Sequence, residues 1–405
     1  MSQKSPASRS DLLFVGLTAS VVMLMVVWPT ADISLGGDHY FHLALSFSQG
    51  RLDVDQMSTL YRDFVPYNGH KYLPFGPLPG LLLAPFVAAF GAGIPLVFYG
   101  YALGPVNVYL FDRLLKRLGI DRERRLWLAL LYFGGTPYLS ITLSGISTFF
   151  AHVVTTTFLL LALVEFHGKR RYIVTGIFVG LAAATRMTAL FSLPYFLWLS
   201  LRGDEASLKN HRSLPVVALA LLLAGLAIPL SGVAWYNFAR FGDATETGFG
   251  LALLYNSALE EARAAGLFSI AHVPKNLFEM LLAAPRPVGG ENAPILRFPF
   301  ITPSPWGMGI FFTSPALLYA FRSKPTDRRA QASLLAIGAT LIPILSYYGI
   351  GFVQFGYRYA LDFMPFLLVL VALATSSPLS RTARALISAS VLINIWGAIS
   401  LALWI

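Results

Sequence analysis

Residues 214–229 read L-P-V-V-A-L-A-L-L-L-A-G-L-A-I-P and carry no charged side chain. A helix rises about 1.5 Å per residue, so a run of this kind is long enough to cross a hydrocarbon core. Residues 11–29 form a similar run. The whole chain is 56% hydrophobic and 12% charged, whereas a soluble domain is about 25% charged. We therefore predict an all-α polytopic membrane protein, one transmembrane domain over residues 1–405.

The first apolar run, at about 11–30, lacks a small-residue cleavage site and is too long for a signal peptide, so we predict that it is a membrane anchor. The chain has no cysteine, which excludes disulfides, thiolate metal sites and cysteine nucleophiles. It also lacks the G-x-x-x-x-G-K-[ST] and H-E-x-x-H motifs, so neither nucleotide-driven nor zinc-peptidase chemistry is supported.

The net charge of +10 follows the pattern of membrane topology. Most of the lysines and arginines fall in alternate loops, as the positive-inside rule describes, and this argues against a nucleic-acid partner. We predict a cytoplasmic N-terminus and an extracytoplasmic C-terminus. The basic segments are 4–9, 113–125, 169–171, 202–212, 322–329 and 381–384.

The hydrophobic pattern predicts about eleven spans and one juxtamembrane helix at 79–91, which is too short to cross and contains Pro85. The predicted spans are about 11–30, 94–112, 126–146, 149–166, 171–186, 188–201, 214–234, 306–321, 331–350, 360–377 and 384–404.

Two long extracytoplasmic loops, about 31–93 and 236–305, hold most of the remaining polar residues. Within the second loop, residues 258–265 fit a surface helix, whereas P-R-P-V-G-G cannot be helix interior. Long loops in compact proteins are usually functional. We therefore expect the active face to be the extracytoplasmic one.

Asp38 follows Gly36-Gly37, close to the expected membrane surface in the first loop. Its carboxylate is a candidate general base for an acceptor group; the alternative is a solvated loop aspartate. His39 and His42 lie three residues apart, so one helical turn would bring both imidazoles to one face, the minimum for a metal site. A divalent metal is thus a possible cofactor that the sequence does not require.

Two arginines stand at the outer ends of predicted spans. Arg186 interrupts G-L-A-A-A-T-R-M-T-A-L-F, where it either binds a lipid phosphate or snorkels to the headgroups. Arg358 lies between Tyr357 and Tyr359, an arrangement that suits a bidentate phosphate site with aromatic walls. The alternative is that Arg358 pairs with Asp362, at i and i+4, and stabilises the start of a helix.

These segments together resemble the C-type, multi-pass, lipid-donor glycosyltransferase superfamily. The resemblance covers about 11–375 and is greatest to the bacterial branch related to protein O-mannosyltransferases and lipid A aminoarabinose transferase. It is carried by Asp38, by Y-N-G-H-K-Y…P-L-P-G-L-L-L-A-P, by G-L-A-A-A-T-R-M-T-A-L-F-S-L-P and by G-Y-R-Y-A-L-D-F-M-P-F.

The resemblance implies inverting transfer of a monosaccharide from a polyprenyl-phosphate donor to an acceptor hydroxyl, with Asp38 as base and with Arg358 and Arg186 at the donor phosphate. Two departures stand out. Many relatives have an acidic pair where this chain has Asp38-His39, and a lysine where it has Phe75. Lys71 lies nearby but out of register, so we treat it as a supporting residue.

The implied partners are a polyprenyl-phosphate sugar, a glycan, lipid or protein acceptor, and membrane lipid, and the implied location is the bacterial inner membrane. Two alternatives from other classes are a lipid-linked sugar flippase and a non-catalytic partner in envelope-polymer assembly. A flippase would carry buried mid-membrane charges and repeated halves, and the sequence shows no such repeat.

Overall fold

The computed structural model describes residues 38–58, 63–91, 96–202, 215–254, 257–290 and 293–404. The first predicted span, at about 11–30, lies outside them. Within this part of the chain, four helices are long and apolar enough to cross a membrane: Ser147–Phe166, Pro215–Phe241, Arg328–Ser346 and Arg381–Leu401. Shorter apolar helices accompany them, so the polytopic membrane fold is confirmed, while the number of spans stays a prediction.

The helices of the described residues follow one another through the whole chain. They are α1 His39–Ser48, α2 Leu78–Phe90, α3 Leu96–Arg117, α4 Arg122–Gly134, α5 Tyr138–Thr142, α6 Ser147–Phe166, α7 Tyr172–Thr185, α8 Leu193–Arg202, α9 Pro215–Phe241, α10 Ser257–Ala264, α11 Val273–Leu281, α12 Ile310–Thr313, α13 Arg328–Ser346, α14 Met364–Ala374 and α15 Arg381–Trp404. Short 3₁₀ helices cover Met187–Ser192, Ile270–His272, Pro315–Arg322 and Arg358–Asp362.

The centre of the bundle is formed by α6 and α14, which are buried on nearly every side. A helix that is apolar all round belongs in the interior of a bundle, and the sequences of α6 and α14 fit that rule. In contrast, α9 exposes Val216, Leu223 and Ile228. Such a surface fits contact with lipid tails, as expected of a peripheral membrane-spanning helix.

Helices α7 and α9 cross at glycines. A Cβ on Gly176 would lie 2.0 Å from the carbonyl oxygen of Leu222, and one on Gly225 would lie 2.0 Å from that of Ile173. Only glycine leaves room for the two backbones, and Gly176 and Gly180 form a G-x-x-x-G pattern typical of membrane helix pairs. Arg186 follows at the C-terminal end of α7.

Several predicted spans are interrupted in the structure. The span expected at 306–321 is instead α12 followed by the 3₁₀ helix Pro315–Arg322, because a residue before proline, here Ser314, disfavours the α conformation. The span expected at 126–146 breaks before Pro137, and the one at 188–201 begins as a 3₁₀ helix. Helix α9 runs on to Phe241, beyond the predicted end of its span at about 234.

The predicted outside loops contain two β-hairpins that the all-α prediction did not include. Strands β1 Val65–Tyr67 and β2 His70–Tyr72 pair antiparallel around Asn68 and Gly69, whose positive φ values of 48° and 82° fit a type I′ turn. Strands β3 Arg286–Gly290 and β4 Ala293–Thr302 form the second hairpin. Helix α10 confirms the surface helix expected at 258–265, and α2 matches the predicted juxtamembrane helix.

Candidate functional site

Asp38 lies at the N-cap position of α1. Its side chain is 46% exposed, and its Oδ2 lies 3.5 Å from Nε2 of His42, one helical turn further on. His39 is buried instead, with its ring edge against Phe75 at 5.6 Å between centroids. The structure therefore places His42, rather than His39, beside the predicted base.

The start of α1 is bonded to the start of α6. The backbone N–H of Tyr40 donates to Oγ of Ser147 over 2.9 Å, and Tyr40 is buried. Along α6, Phe149 and His152 follow within two turns. The N-terminal end of α6 is therefore bonded to the helix that begins after Asp38. The same end carries Phe149 and His152, which contact the two predicted arginine sites.

Phe75 and Gly76 connect α1 to the end of α7. The Phe75 ring lies 6.4 Å from that of Phe249, in the second loop. A Cβ on Gly76 would lie 2.3 Å from the carbonyl oxygen of Ala184, so the chain passes against α7 only because this residue is glycine. Ala184 precedes Arg186 by two residues, and the Pro/Gly-rich segment of the first loop is thereby held beside that arginine.

Arg186 forms a buried ion pair with Asp362. Its Nε donates to Oδ1 at 2.9 Å and its Nη2 to Oδ2 at 3.0 Å. Thr188 Oγ1 donates to Oδ2 at 2.5 Å, and His152 Nδ1 lies 3.1 Å from Oδ1. The Asp362 side chain is fully buried. Its charge is therefore balanced by three partners from two other segments of the chain.

The alternative interpretation, an ion pair between Arg358 and Asp362, is not found among the described residues. It assumed an α-helix, whereas residues 358–362 form a 3₁₀ helix. With three residues per turn, i and i+3 lie above each other and i+4 points away, so the two side chains diverge. Asp362 turns into the bundle towards Arg186, and Arg358 turns outward.

Arg358 lies against aromatic rings. Its guanidinium carbon is 5.3 Å from the ring centroids of both Phe149 and Tyr359, within the range of cation–π attraction. Nη1 donates to the carbonyl oxygen of Phe352 at 3.3 Å, while Nε is buried and has no hydrogen-bond partner among the described residues. A buried donor without a partner is costly, so this guanidinium is well suited to an added acceptor.

The two tyrosines beside Arg358 differ in position. Tyr359 lies between the two arginines, since the guanidinium carbon of Arg186 is also 5.3 Å from its ring centroid. Tyr357 is fully buried, with its ring at 89° to that of Tyr359. Tyr359 therefore fits the predicted aromatic wall, whereas Tyr357 packs in the core.

Asp63 brings a further carboxyl group to this region. Its N–H donates to the carbonyl of Leu253 at 3.2 Å, and the N–H of Leu253 donates to Phe64 at 3.0 Å, so the two outside loops pair here. Burial raises the pKa of Asp63 to about 6, and the charge of Arg358 opposes that rise.

Lys71 forms hydrogen bonds within the first loop. Its Nζ donates to the carbonyl oxygen of Met57 at 2.6 Å and lies 3.4 Å from that of Asp55. These bonds hold the loop against the β1–β2 hairpin. Among the described residues, the hydrogen bonds of the Lys71 ammonium are thus made within the first loop.

The predicted metal ligands do not form a cluster of three in the described residues, because His39 and His42 face different partners. The cluster found there is Asp53, Asp55 and His70, with ligand atoms within 4.8 Å of one another. Protein donors already occupy it: the Lys71 amide and His70 Nδ1 each lie 2.7 Å from Asp55, and Arg51 lies 3.4 Å from Asp53.

Sequence reasoning missed His152 and Thr188 as partners of Asp362. They lie 210 and 174 residues from it, so no local spacing could reveal them. One signal was present, because a histidine in the apolar span of α6 is unusual unless it has a polar partner.

No family model and no curated protein sequence matches this chain. Its fold is similar to that of the oligosaccharyltransferase of Archaeoglobus fulgidus in the apo form, with a TM-score of 0.53, 15% identity and 96% of this chain covered. It is also similar to the same organism's AglB with an inhibitory peptide and dolichol-phosphate, with a TM-score of 0.54 and 15% identity.

This chain spans about half the length of these relatives, 55% in both cases, and 96% of it is covered in each comparison. At such identities the likeness establishes the fold. The chain shares the fold of these archaeal oligosaccharyltransferases over nearly its whole length.

Proposed function

We propose that this protein is a membrane glycosyltransferase that moves a monosaccharide from a polyprenyl-phosphate donor to an acceptor hydroxyl on the extracytoplasmic face. One observation carries the proposal. On this fold, Asp38 and the aromatic-lined Arg358 are held at the same end of α6, through the Tyr40–Ser147 bond and the contact of Arg358 with Phe149. A base and a phosphate-binding group are thereby gathered on one side of the bundle.

Asp38 acts as the general base. The acceptor oxygen attacks the anomeric carbon from the face opposite the phosphate, and its proton passes to the Asp38 carboxylate. The bond between the anomeric carbon and the phosphate oxygen breaks, and its electron pair leaves with the lipid phosphate. A single displacement of this kind inverts the anomeric configuration. The half-exposed carboxylate is accessible to an incoming hydroxyl.

Arg358 stabilises the charge that develops on the departing phosphate. A guanidinium offers planar, paired donors to phosphate oxygens, and Tyr359 holds this one from the side. Arg186 shares its charge with Asp362 and is 19% exposed. It supports the donor site by fixing the Tyr359 ring and the 3₁₀ turn from which Arg358 projects.

The branch, the number of spans and the membrane topology in this proposal are taken from the sequence. We place the protein in the bacterial branch, as a single domain of about eleven spans in the inner membrane, with its N-terminus in the cytoplasm. The structure with dolichol-phosphate shows a lipid phosphate bound by one protein of this fold. By analogy, a polyprenyl-phosphate sugar is the donor here, and a glycan, lipid or protein hydroxyl is the acceptor.

The test is incubation of the purified protein with a panel of polyprenyl-phosphate sugars, with and without candidate acceptors. We expect release of polyprenyl phosphate with one sugar, increased by the right acceptor, and a product of inverted anomeric configuration. A flippase would instead move the intact lipid across proteoliposomes without releasing polyprenyl phosphate. Movement without release for every sugar would overturn the proposal.

A further inference from the structure

The second outside loop contains two helices whose exposed side chains differ in kind. In α10, the exposed side chains include the carboxylates of Glu260 and Glu261, as expected of a helix that faces water. In and next to α11, the exposed side chains include four large apolar ones, which make up the apolar surface of α11: Ile270, Leu277, Phe278 and Leu282.

Helix α11 buries an amide and exposes apolar side chains. Its buried residues are Asn276 and Met280, and Nδ2 of Asn276 donates to the carbonyl oxygens of Leu345 at 2.8 Å and Tyr347 at 2.7 Å. Ile270 and Leu282, in contrast, are 86% and 69% exposed. A helix in water turns its apolar side chains inward, so this arrangement indicates an apolar surrounding on the outer side of α11.

The apolar surface of α11 adjoins α13, which is long and apolar enough to cross a membrane. The N–H of Ser269 donates to the carbonyl oxygen of Ser346 at 2.8 Å, so Ile270 follows directly on a residue bonded to the end of α13. One turn before Ser346, Ile342 is 67% exposed, which fits contact with lipid tails. This end of α13 is the outer one under the positive-inside rule, because the helix begins in the basic segment 322–329. The apolar surface therefore continues the lipid-facing surface of α13 at the outer edge of the membrane.

The charges of this part of the loop suit lipid headgroups. Lys275, Arg286 and Arg297 are exposed, whereas Glu279 is the one carboxylate among the described residues of 268–302. Nζ of Lys275 lies 5.8 Å from the ring centroid of Trp306, and tryptophan is enriched at the headgroup level of membranes. Three exposed cations exclude the hydrocarbon centre. Apolar side chains next to cations are typical of a helix that lies in the membrane interface.

We propose that the apolar surface of α11 lies in the outer lipid leaflet and anchors the second loop to the membrane. The partner is the bilayer itself: acyl chains contact Ile270, Phe278 and Leu282, and anionic headgroups contact Lys275 and Arg286. A helix of this kind lies about 5–10 Å into the boundary between headgroups and acyl chains. This part of the second loop is thereby fixed at the level of the lipid headgroups, independently of the transfer reaction.

The test uses the absence of cysteine, which allows single-cysteine variants of the full chain to be labelled with an environment-sensitive fluorophore. Labelled Phe278→Cys and Leu282→Cys are inserted into vesicles of phosphatidylethanolamine and phosphatidylglycerol. Quenching is measured with a lipid that carries a nitroxide near the top of its acyl chain, and separately with aqueous iodide present on both sides of the membrane. We expect blue-shifted emission, quenching by the nitroxide lipid and loss of quenching by iodide.

Glu260→Cys is the matched control, because it lies on the exposed polar side of α10 in the same loop. Its label should be quenched by iodide and not by the nitroxide lipid, whereas Ile342→Cys on α13 provides the reference for lipid contact. Ile270→Cys replaces either α11 variant that folds poorly. Quenching of the α11 labels by iodide as strong as in Glu260→Cys would overturn the proposal. Protection from both quenchers would also overturn it, because a second copy or another protein segment would then cover this surface.

Discussion

At the scale of single residues, Asp38 is the position on which the proposed chemistry depends most. Asp38→Asn keeps the size of the side chain but removes its basicity. General-base catalysis contributes about 10²–10⁴-fold, so turnover should fall by that factor in the polyprenyl-phosphate release assay. Donor binding and thermal stability should stay near the wild-type values.

Asp53→Asn is the control for that variant, since Asp53 belongs to the same loop but pairs with Arg51. It should keep nearly full turnover. His42 contacts Asp38 and provides a second comparison. The variant His42→Ala should lower turnover much less than Asp38→Asn does. If Asp38→Asn retained most of its transfer activity, Asp38 would not be the base.

Arg358 is the second residue with a predicted individual effect. Arg358→Lys keeps the charge but loses the planar pair of donors. A hydrogen bond to a charged group contributes about 1.5–3 kcal/mol, so donor affinity should fall by about tenfold to a hundredfold. Binding of a polyprenyl-phosphate sugar, measured by titration in detergent, checks this.

Arg322→Lys is the matched control, because Arg322 lies over the Tyr319 ring at 5.5 Å in a predicted cytoplasmic segment. It should leave donor binding unchanged. Reduced thermal stability of Arg358→Lys with unaltered donor affinity would show that Arg358 is structural.

At the scale of elements, the ion pair between Arg186 and Asp362 joins α6, the end of α7 and the 3₁₀ turn before α14. Removing one partner leaves a buried charge uncompensated, which typically costs about 3–5 kcal/mol. We therefore expect Asp362→Asn to lower the midpoint of thermal unfolding, followed by tryptophan fluorescence in detergent, far more than a surface change does.

Glu123→Gln provides the surface comparison, because Glu123 pairs with Arg384 at 2.5 Å and both side chains are 42% exposed. Exposed pairs contribute about 0–1 kcal/mol. Equal losses of stability in the two variants would contradict the structural role of the buried pair.

The elements also show how far the sequence determines the fold. Apolar length and charge placement predicted α6, α7, α13 and the start of α9 within a few residues, because lipid solvent allows only helices at these positions. The end of α9 was missed, since this helix runs on to Phe241. The 3₁₀ turn at 358–362 was not predictable, since its geometry depends on Asp362 reaching partners far away in the chain. The first hairpin carried a readable signal in Asn68-Gly69, a dipeptide favoured in type I′ turns.

The candidate site was likewise predictable from the sequence only in part. The sequence singled out Asp38 through the family resemblance, and Arg186 and Arg358 as charged residues at the ends of apolar spans. Their grouping was not identifiable, because it depends on Gly76 lying against Ala184 and on Tyr40 bonding to Ser147. Contacts between segments so far apart in sequence leave no periodic pattern.

At the scale of the whole molecule, the two polar loops contact each other, and the basic segments contact one another elsewhere in the fold. The two outside loops pair with each other through Phe64 and Leu253. The basic segments contact one another: Arg329 donates to the carbonyl of Leu118 at 3.3 Å, and Arg384 pairs with Glu123. Such a separation is what the positive-inside rule expects of two faces of a membrane.

The topology gives the last prediction. Alkaline phosphatase, which is active only outside the cytoplasm, should be active when fused after Gly69 in the β1–β2 turn or after Gly290 at the end of β3. Fusions after Arg125 and Lys324, in the basic segments, should be inactive, and a reporter that works only in the cytoplasm should show the opposite pattern. An inactive fusion after Gly290 would place the second loop, and with it Leu253, on the cytoplasmic side. Because the two loops pair in the fold, such a result would remove the proposed active face.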